Sequence, residues 1–152
     1  MGQLSSDLHL TSLSEVEKEL KSIHKGGWWN PGKECVSKHR IAIIIPFRNR
    51  ENHLPILLKH LIPILQRRLY DFRIFVIEQG DKEAYNKGKL INVGFQEALK
   101  ISDYDCFVFH DVDLIPEDDR ILYGCEDSPM HLSVAIDKFE YRLYDFPAFG
   151  GM

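Results

Sequence analysis

No run of apolar residues in this sequence approaches the roughly 20 needed to cross a bilayer, and the start, Met1-Gly2-Gln3-Leu4-Ser5, lacks the charged-then-apolar plan of a signal peptide. The chain as written is therefore expected to be soluble, with no membrane segment. Met1-Gly2 followed by Ser6 does fit the short myristoylation pattern, which recurs by chance. There is no massed basic stretch: lysines and arginines are scattered and the net charge is −4, which excludes an electrostatic footprint for nucleic acid. Glycine-rich dinucleotide or P-loop fingerprints are missing, so any phosphate has to be held by cations rather than by a glycine loop. Cysteines number only 3, with no Cys-x-x-Cys pair, which argues against a zinc site. Cys35, Cys106 and Cys125 leave two options open: buried thiols, or one bridge with a sulfur left over.

What is present is enough for one core. The 152 residues are 44% hydrophobic, too apolar for disorder. Residues 1–25 read as a polar segment with a short helix, Ser14 and Glu17 forming a capping-box spacing ahead of the helical stripe Leu13, Val16, Leu20 and Ile23. Gly26-Gly27-Trp28-Trp29-Asn30-Pro31-Gly32 is expected to be an irregular, packed connector.

Residues 41–47 are apolar on both faces, as in a central parallel strand, with further strands expected at 73–78, 105–110 and 131–136. Leu54, Leu57, Leu58, Leu61, Ile62 and Leu65 form a helical stripe with Pro55 in the first turn and Pro63 placed to kink it. Leu90, Val93, Ala98 and Leu99 mark a second helix. Strands alternating with helices define an α/β fold with a mostly parallel sheet, whose ligands bind at the strands' carboxyl ends. Those ends are 46–50, 78–79 and 110–113.

The most informative element is Asp111-Val112-Asp113, directly after an apolar strand. An Asp-x-Asp also serves surface turns and helix caps, but at a strand end a carboxylate can grip a hard divalent cation that bridges two phosphates. The rival nucleophile reading of Asp-x-Asp lacks a basic partner motif. Pro46-Phe47-Arg48-Asn49-Arg50 sets two guanidinium groups at the sheet opening, suited to phosphate, with a proline and a ring to pack a base. His110 could touch a metal, Glu78 a ribose and Trp28-Trp29 a sugar, although each also has a purely structural explanation.

Taken together, Gly26-Gly27-Trp28-Trp29-Asn30-Pro31 with Cys35, the 41–50 block, Leu90-Ile91-Asn92-Val93-Gly94-Phe95, the 107–116 block and Phe149-Gly150-Gly151 resemble the beta-1,4-galactosyltransferase family in order and spacing over residues 26–152. The resemblance implies a GT-A-type nucleotide-sugar-binding fold, a UDP-galactose or UDP-GalNAc donor, Mn2+ as metal, inverting transfer to a glycan acceptor ending in GlcNAc, and a lumenal Golgi location. Carried over by position, Pro46, Phe47, Arg48, Asn49, Arg50, Val112 and Asp113 contact UDP, Asp113 binds the metal and Lys138 lies near the phosphates. Tyr85, Asn86 and Lys87 stand where the family usually has Phe-Asn-Arg, and the lysine loses a bidentate fork.

The resemblance further implies a Cys106–Cys125 bridge and a Cys35 that is unpaired or bonded to another chain. Ala148 replaces the family's usual Tyr, leaving room for a larger group at the donor sugar's second carbon. The family's Trp-Gly-Trp-Gly-Gly-Glu-Asp-Asp-Asp region, with its catalytic base and further metal ligands, lies beyond Met152, as does the rest of the fold. The family's membrane anchor is likewise missing from the chain as written. The expectation is a chain truncated at its C-terminus, with no catalytic residue of its own and silent alone. The alternatives are a UDP- and metal-binding fragment without catalysis, or a structural truncation product with exposed strand edges.

Overall fold

The computed structural model describes residues 2–33 and 35–142. Its centre is β2 (Arg40–Phe47), preceded by α1 (Leu13–Glu19) and β1 (Trp28–Trp29) and followed by α2 (His53–Arg67), β3 (Asp71–Glu78), α3 (Lys87–Ile101), β4 (Cys106–Phe109) and a short 3-10 turn, Asp137–Phe139. The sheet order is β1-β3-β2-β4, with β2 parallel to both β3 and β4 and only β1 antiparallel. The mostly parallel α/β sheet expected from the sequence is present.

The apolarity of β2 on both faces has a direct structural cause. Ile41, Ala42, Ile43, Ile44 and Ile45 are each 0% exposed, because α2 residues Leu57, Leu61 and Leu65 join one face of the strand in the core cluster while α3 packs on the other, Gly94 lying against Ile44. Each fully buried isoleucine or leucine side chain contributes roughly 1.5–3 kcal/mol of transfer free energy. α2 runs on through Pro63, and Pro55 sits in its first turn as expected.

Three expectations need correction. The capping box of α1 is Ser12 with Glu15, two residues earlier than Ser14 with Glu17: the Glu15 amide donates to Ser12 Oγ and the Ser12 amide to Glu15 Oε2 at 2.7 Å. Both pairs have the required spacing, and the helix takes the one that lets Leu13 open it. Trp28 and Trp29 are not irregular but pair with Arg73 and Phe72 of β3. Gly26 and Gly27, at φ +89° and +71°, turn the chain back instead of breaking the ladder, and a Cβ on Gly27 would lie 3.0 Å from the Ile74 carbonyl oxygen.

Residues 131–136 form no strand. Leu132 packs against the core, Ser133 is buried within 3.3 Å of the His131 ring, and Val134 is 59% exposed. The segment bends to satisfy these local contacts, and among the described residues no strand partners it.

The first residues strap α2 to the segment that follows β4. The Leu4 amide donates to the Glu117 carbonyl, and Asp7 takes a 2.9 Å ion pair from Lys59 and offers its own carbonyl to the His60 ring. A disulfide joins Cys106 at the start of β4 to Cys125, while Cys35 is a free, half-buried thiol.

Candidate functional site

The carboxyl ends of β2 and β4 and the start of α3 surround an open cleft of about 410 Å³ lined by Pro46, Arg48, Asn49, Arg50, Tyr85, Lys87, Asp111, Val112 and Asp113. Three chain segments distant in sequence supply it, each shaped by its own local chemistry.

Beyond β2 the chain reverses at Asn49, whose φ of +49° suits a short polar side chain better than most. Arg48 donates to the Glu83 carbonyl and Arg50 to that of Asn49, so both guanidinium groups are placed at the cleft with further donors to offer. Beyond β3, Gln79 organises the loop: its amide nitrogen donates to the Phe47 carbonyl, its side-chain NH2 to Asp81, and its side-chain oxygen accepts from the Asn86 amide. Asn86 in turn caps α3 by accepting the Lys89 amide at 2.9 Å. That cap sets Lys87 in the first turn of α3 with its ammonium ion-paired to Asp111.

Beyond β4, the Leu114 amide donates to the Asp111 carbonyl at 3.3 Å, closing a turn with Val112 and Asp113 at its centre. Val112 is buried and holds the turn to the core, whereas Asp113 is exposed. The two carboxylates therefore differ in state. Burial pushes the Asp111 carboxyl up, opposed by its hydrogen bond and charge contact with Lys87 and reinforced by the negative charge of Asp113. Asp113 makes no ion pair or side-chain hydrogen bond among the described residues. The Tyr85 hydroxyl is raised, first by partial burial and then by the charges of Asp111 and Asp113, and opposed by Arg50, all of which line the same cleft.

The structure thus gathers Pro46, Arg48, Asn49, Arg50, Tyr85, Lys87, Val112 and Asp113 from the sequence-based set. It does not bring the rest to the cleft wall. Phe47 is 7% exposed in the core, Asn86 is engaged as a helix cap, and Lys138 sits on the 3-10 turn with its ammonium 5.8 Å from the centre of the Phe139 ring. Glu78, Trp28 and Trp29 lie outside it too, and Ala148 lies outside the described residues. The loop-organising role of Gln79 and the Lys87–Asp111 pair are additions from the structure. A polar residue directly after a strand was a visible signal for the first, but the pair joins residues too far apart in sequence to be read.

Among the described residues no group of three or more His, Cys, Asp or Glu side chains is arranged to hold a metal. The cleft does offer hard oxygen donors, with Asp113 unengaged, so its chemistry fits one carboxylate ligand of a divalent cation such as Mn2+. Arg48, Arg50 and Lys87 against Asp111 and Asp113 leave the lining with an excess of one positive charge, suited to a polyanion that brings a cation with it.

A cleft at the carboxyl ends of a mostly parallel sheet is where open α/β folds bind ligands, and the fold is of the GT-A type. The family model for the N-terminal region of glycosyl transferase group 7 matches residues 1–126, and the chain belongs to that family, as its N-terminal portion. It is 50% identical over 153 residues to mouse beta-1,4-galactosyltransferase 1, covering 100% of this chain and 38% of the relative. With pig beta-1,4-galactosyltransferase 5 the identity is 47% over 147 residues, or 97% of this chain and 38% of the relative. The chain thus spans about two fifths of the length of these curated relatives. A crystal structure of a mutant Drosophila beta-1,4-galactosyltransferase 7 in complex with manganese, UDP-Gal and xylobiose superposes with a TM-score of 0.61 at 39% identity, covering 68% of this chain and 44% of that one.

Proposed function

We propose that this chain supplies the UDP-sugar-binding half of a Mn2+-dependent, inverting beta-1,4-galactosyltransferase acting on acceptors that end in GlcNAc. The observation that carries the reading is the convergence of Arg48, Arg50, Lys87 and the free Asp113 carboxylate on one cleft. The Drosophila relative that binds manganese and UDP-Gal supports it.

In this reading Arg48 and Arg50 pair with phosphate oxygens, and their planar forks fix the donor's orientation. Pro46 and the half-exposed Tyr85 ring offer apolar surface to the nucleobase. Asp113 is the one carboxylate ligand that this region gives the metal, while Asp111 keeps Lys87 aimed into the cleft. Bound there, Mn2+ supplies charge neutralisation for the diphosphate and for the leaving UDP. The Cys106–Cys125 disulfide is consistent with an oxidising compartment, and we assign the protein to the Golgi lumen. No described helix is long and apolar enough to cross a membrane.

Ala148, in place of a bulkier residue, leads us to include UDP-GalNAc among the donors. A nucleotide competition measures the reading: in Mn2+, UDP, UDP-galactose and UDP-GalNAc displace one another from the purified chain, and GDP and CDP compete poorly. Equal competition by GDP would contradict a UDP-sugar site. Exclusion of UDP-GalNAc alone would contradict only the role of Ala148.

A further inference from the structure

His110 is 0% exposed, directly precedes the acidic triplet, and lies outside the cleft lining. Its Nδ1 lies 2.8 Å from the Asp111 carbonyl oxygen and its Nε2 lies 3.1 Å from the Tyr123 hydroxyl. A carbonyl can only accept, so the proton sits on Nδ1, and the bare Nε2 accepts from Tyr123. The rings of the two residues stack at 10° with centroids 5.9 Å apart. Tyr123 is itself 1% exposed, two residues from the cysteine that is bonded to the start of β4.

The Asp111 carbonyl that receives the His110 proton is the same atom that closes the turn by accepting the Leu114 amide. That turn carries Val112 into the core and Asp113 into the cleft. The imidazole thus pins the hinge of the turn from behind, and the tyrosine hydroxyl, hydrogen-bonded to its far nitrogen, holds the ring in that orientation. Without the hydroxyl, the buried Nε2 loses that partner and the ring loses one of the two hydrogen bonds that set its orientation on the carbonyl.

We propose that His110 and Tyr123 are positioning residues of the donor site: their hydrogen-bonded relay, Tyr123 hydroxyl to His110 Nε2 and His110 Nδ1–H to the Asp111 carbonyl, holds the 111–114 turn so that Asp113 meets the metal. The inference rests on the reading of the cleft as a metal-assisted UDP site. Neither residue touches the donor, so the relay acts on metal-dependent binding and leaves the contacts of Arg48 and Arg50 alone.

The test compares UDP affinity of the full chain by calorimetry in Mn2+ and in EDTA for the parent, Tyr123→Phe, His110→Phe and His110→Asn. Groups that orient metal ligands typically change metal affinity by about 10–100-fold, so both phenylalanine variants are expected to weaken binding in Mn2+ by about tenfold at least. In EDTA they bind as the parent does. His110→Asn, whose amide can donate to the same carbonyl, recovers most of the loss. Imidazole 15N shifts of the parent at neutral pH report the Nδ1–H tautomer.

Should His110→Phe fail to fold, Tyr123→Phe keeps the ring and carries the comparison. Unchanged Mn2+-dependent affinity in a folded Tyr123→Phe variant, an equal loss in EDTA, or an Nε2–H imidazole would each overturn the relay. A parent chain that binds no UDP in Mn2+ would instead defeat the donor-site reading, and the relay with it.

Discussion

Lys87 and Asp111 form an ion pair that ties the first turn of α3 to the end of β4 across the cleft, and it joins the position where the family usually carries arginine to the first acid of the triplet. The pair is partly buried, with side-chain exposures of 31% and 19%, so it orients Lys87 more than it stabilises the fold. Arginine at this position adds a second parallel donor. Lys87→Arg is therefore expected to tighten UDP binding in Mn2+ by a few fold, and Lys87→Ala to weaken it by about tenfold, as for loss of a charge-assisted hydrogen bond. Calorimetric titration of both variants checks the order.

Gly94 tests how α3 is seated. A Cβ added there would lie 2.5 Å from Ile44 Cγ2 and 2.9 Å from Ile77 Cγ1, so the helix approaches the sheet more closely than any side chain allows. Alanine gains about 1 kcal/mol of helix propensity, against about 1–3 kcal/mol for overpacking a filled core. Gly94→Ala is expected to lower the urea midpoint, and Gly94→Val to lower it further. A rise for both would show that α3 is free to move away from the sheet.

The buried imidazole makes stability depend on pH. Burial holds His110 down at about 4 from an ordinary 6.5, helped by the positive charge of Lys87 and opposed by the hydrogen bond to the Asp111 backbone. With the folded pKa below the unfolded one, the unfolded chain takes up a proton first as pH falls. The contribution is therefore complete above pH 6.5 and is lost between 6.5 and about 4, amounting to at most about 3 kcal/mol. Asp111, raised by burial, acts in the opposite sense, gaining stability as pH falls. Denaturant midpoints measured from pH 7.5 to 4.5 should fall for the parent and fall less for His110→Gln.

The parts of this fold that could be read in the sequence are those where one physical demand dominates. A strand covered on both sides has to be apolar at every position, and 41–45 is. A helix on one face needs a stripe, which α2 has, and an acidic triplet after an apolar strand is unusual enough to mark a site. Where two local solutions compete, sequence could not choose. Ser12–Glu15 and Ser14–Glu17 satisfy the same capping rule, and Gly26-Gly27 can break a ladder or turn back into one.

Phe47, Asn86 and Lys138 lie off the cleft wall. Adjacency to a motif does not say which side chains face the cleft, because alternation sends Phe47 to the core and the helix start claims Asn86 as its cap. Lys87–Asp111 and the His110–Tyr123 contact depend on tertiary proximity and became visible only in three dimensions.

The central claim is that Asp113, presented by the 111–114 turn, holds a divalent cation that in turn binds a sugar-diphosphate. Calorimetric titration of UDP into the chain with and without Mn2+, for the parent and for Asp113→Asn, addresses it most directly. The account predicts UDP binding strengthened by Mn2+ in the parent, with that strengthening abolished in Asp113→Asn and the weaker metal-free binding retained. Equal Mn2+ enhancement in both proteins, or no UDP binding by the parent, would contradict it.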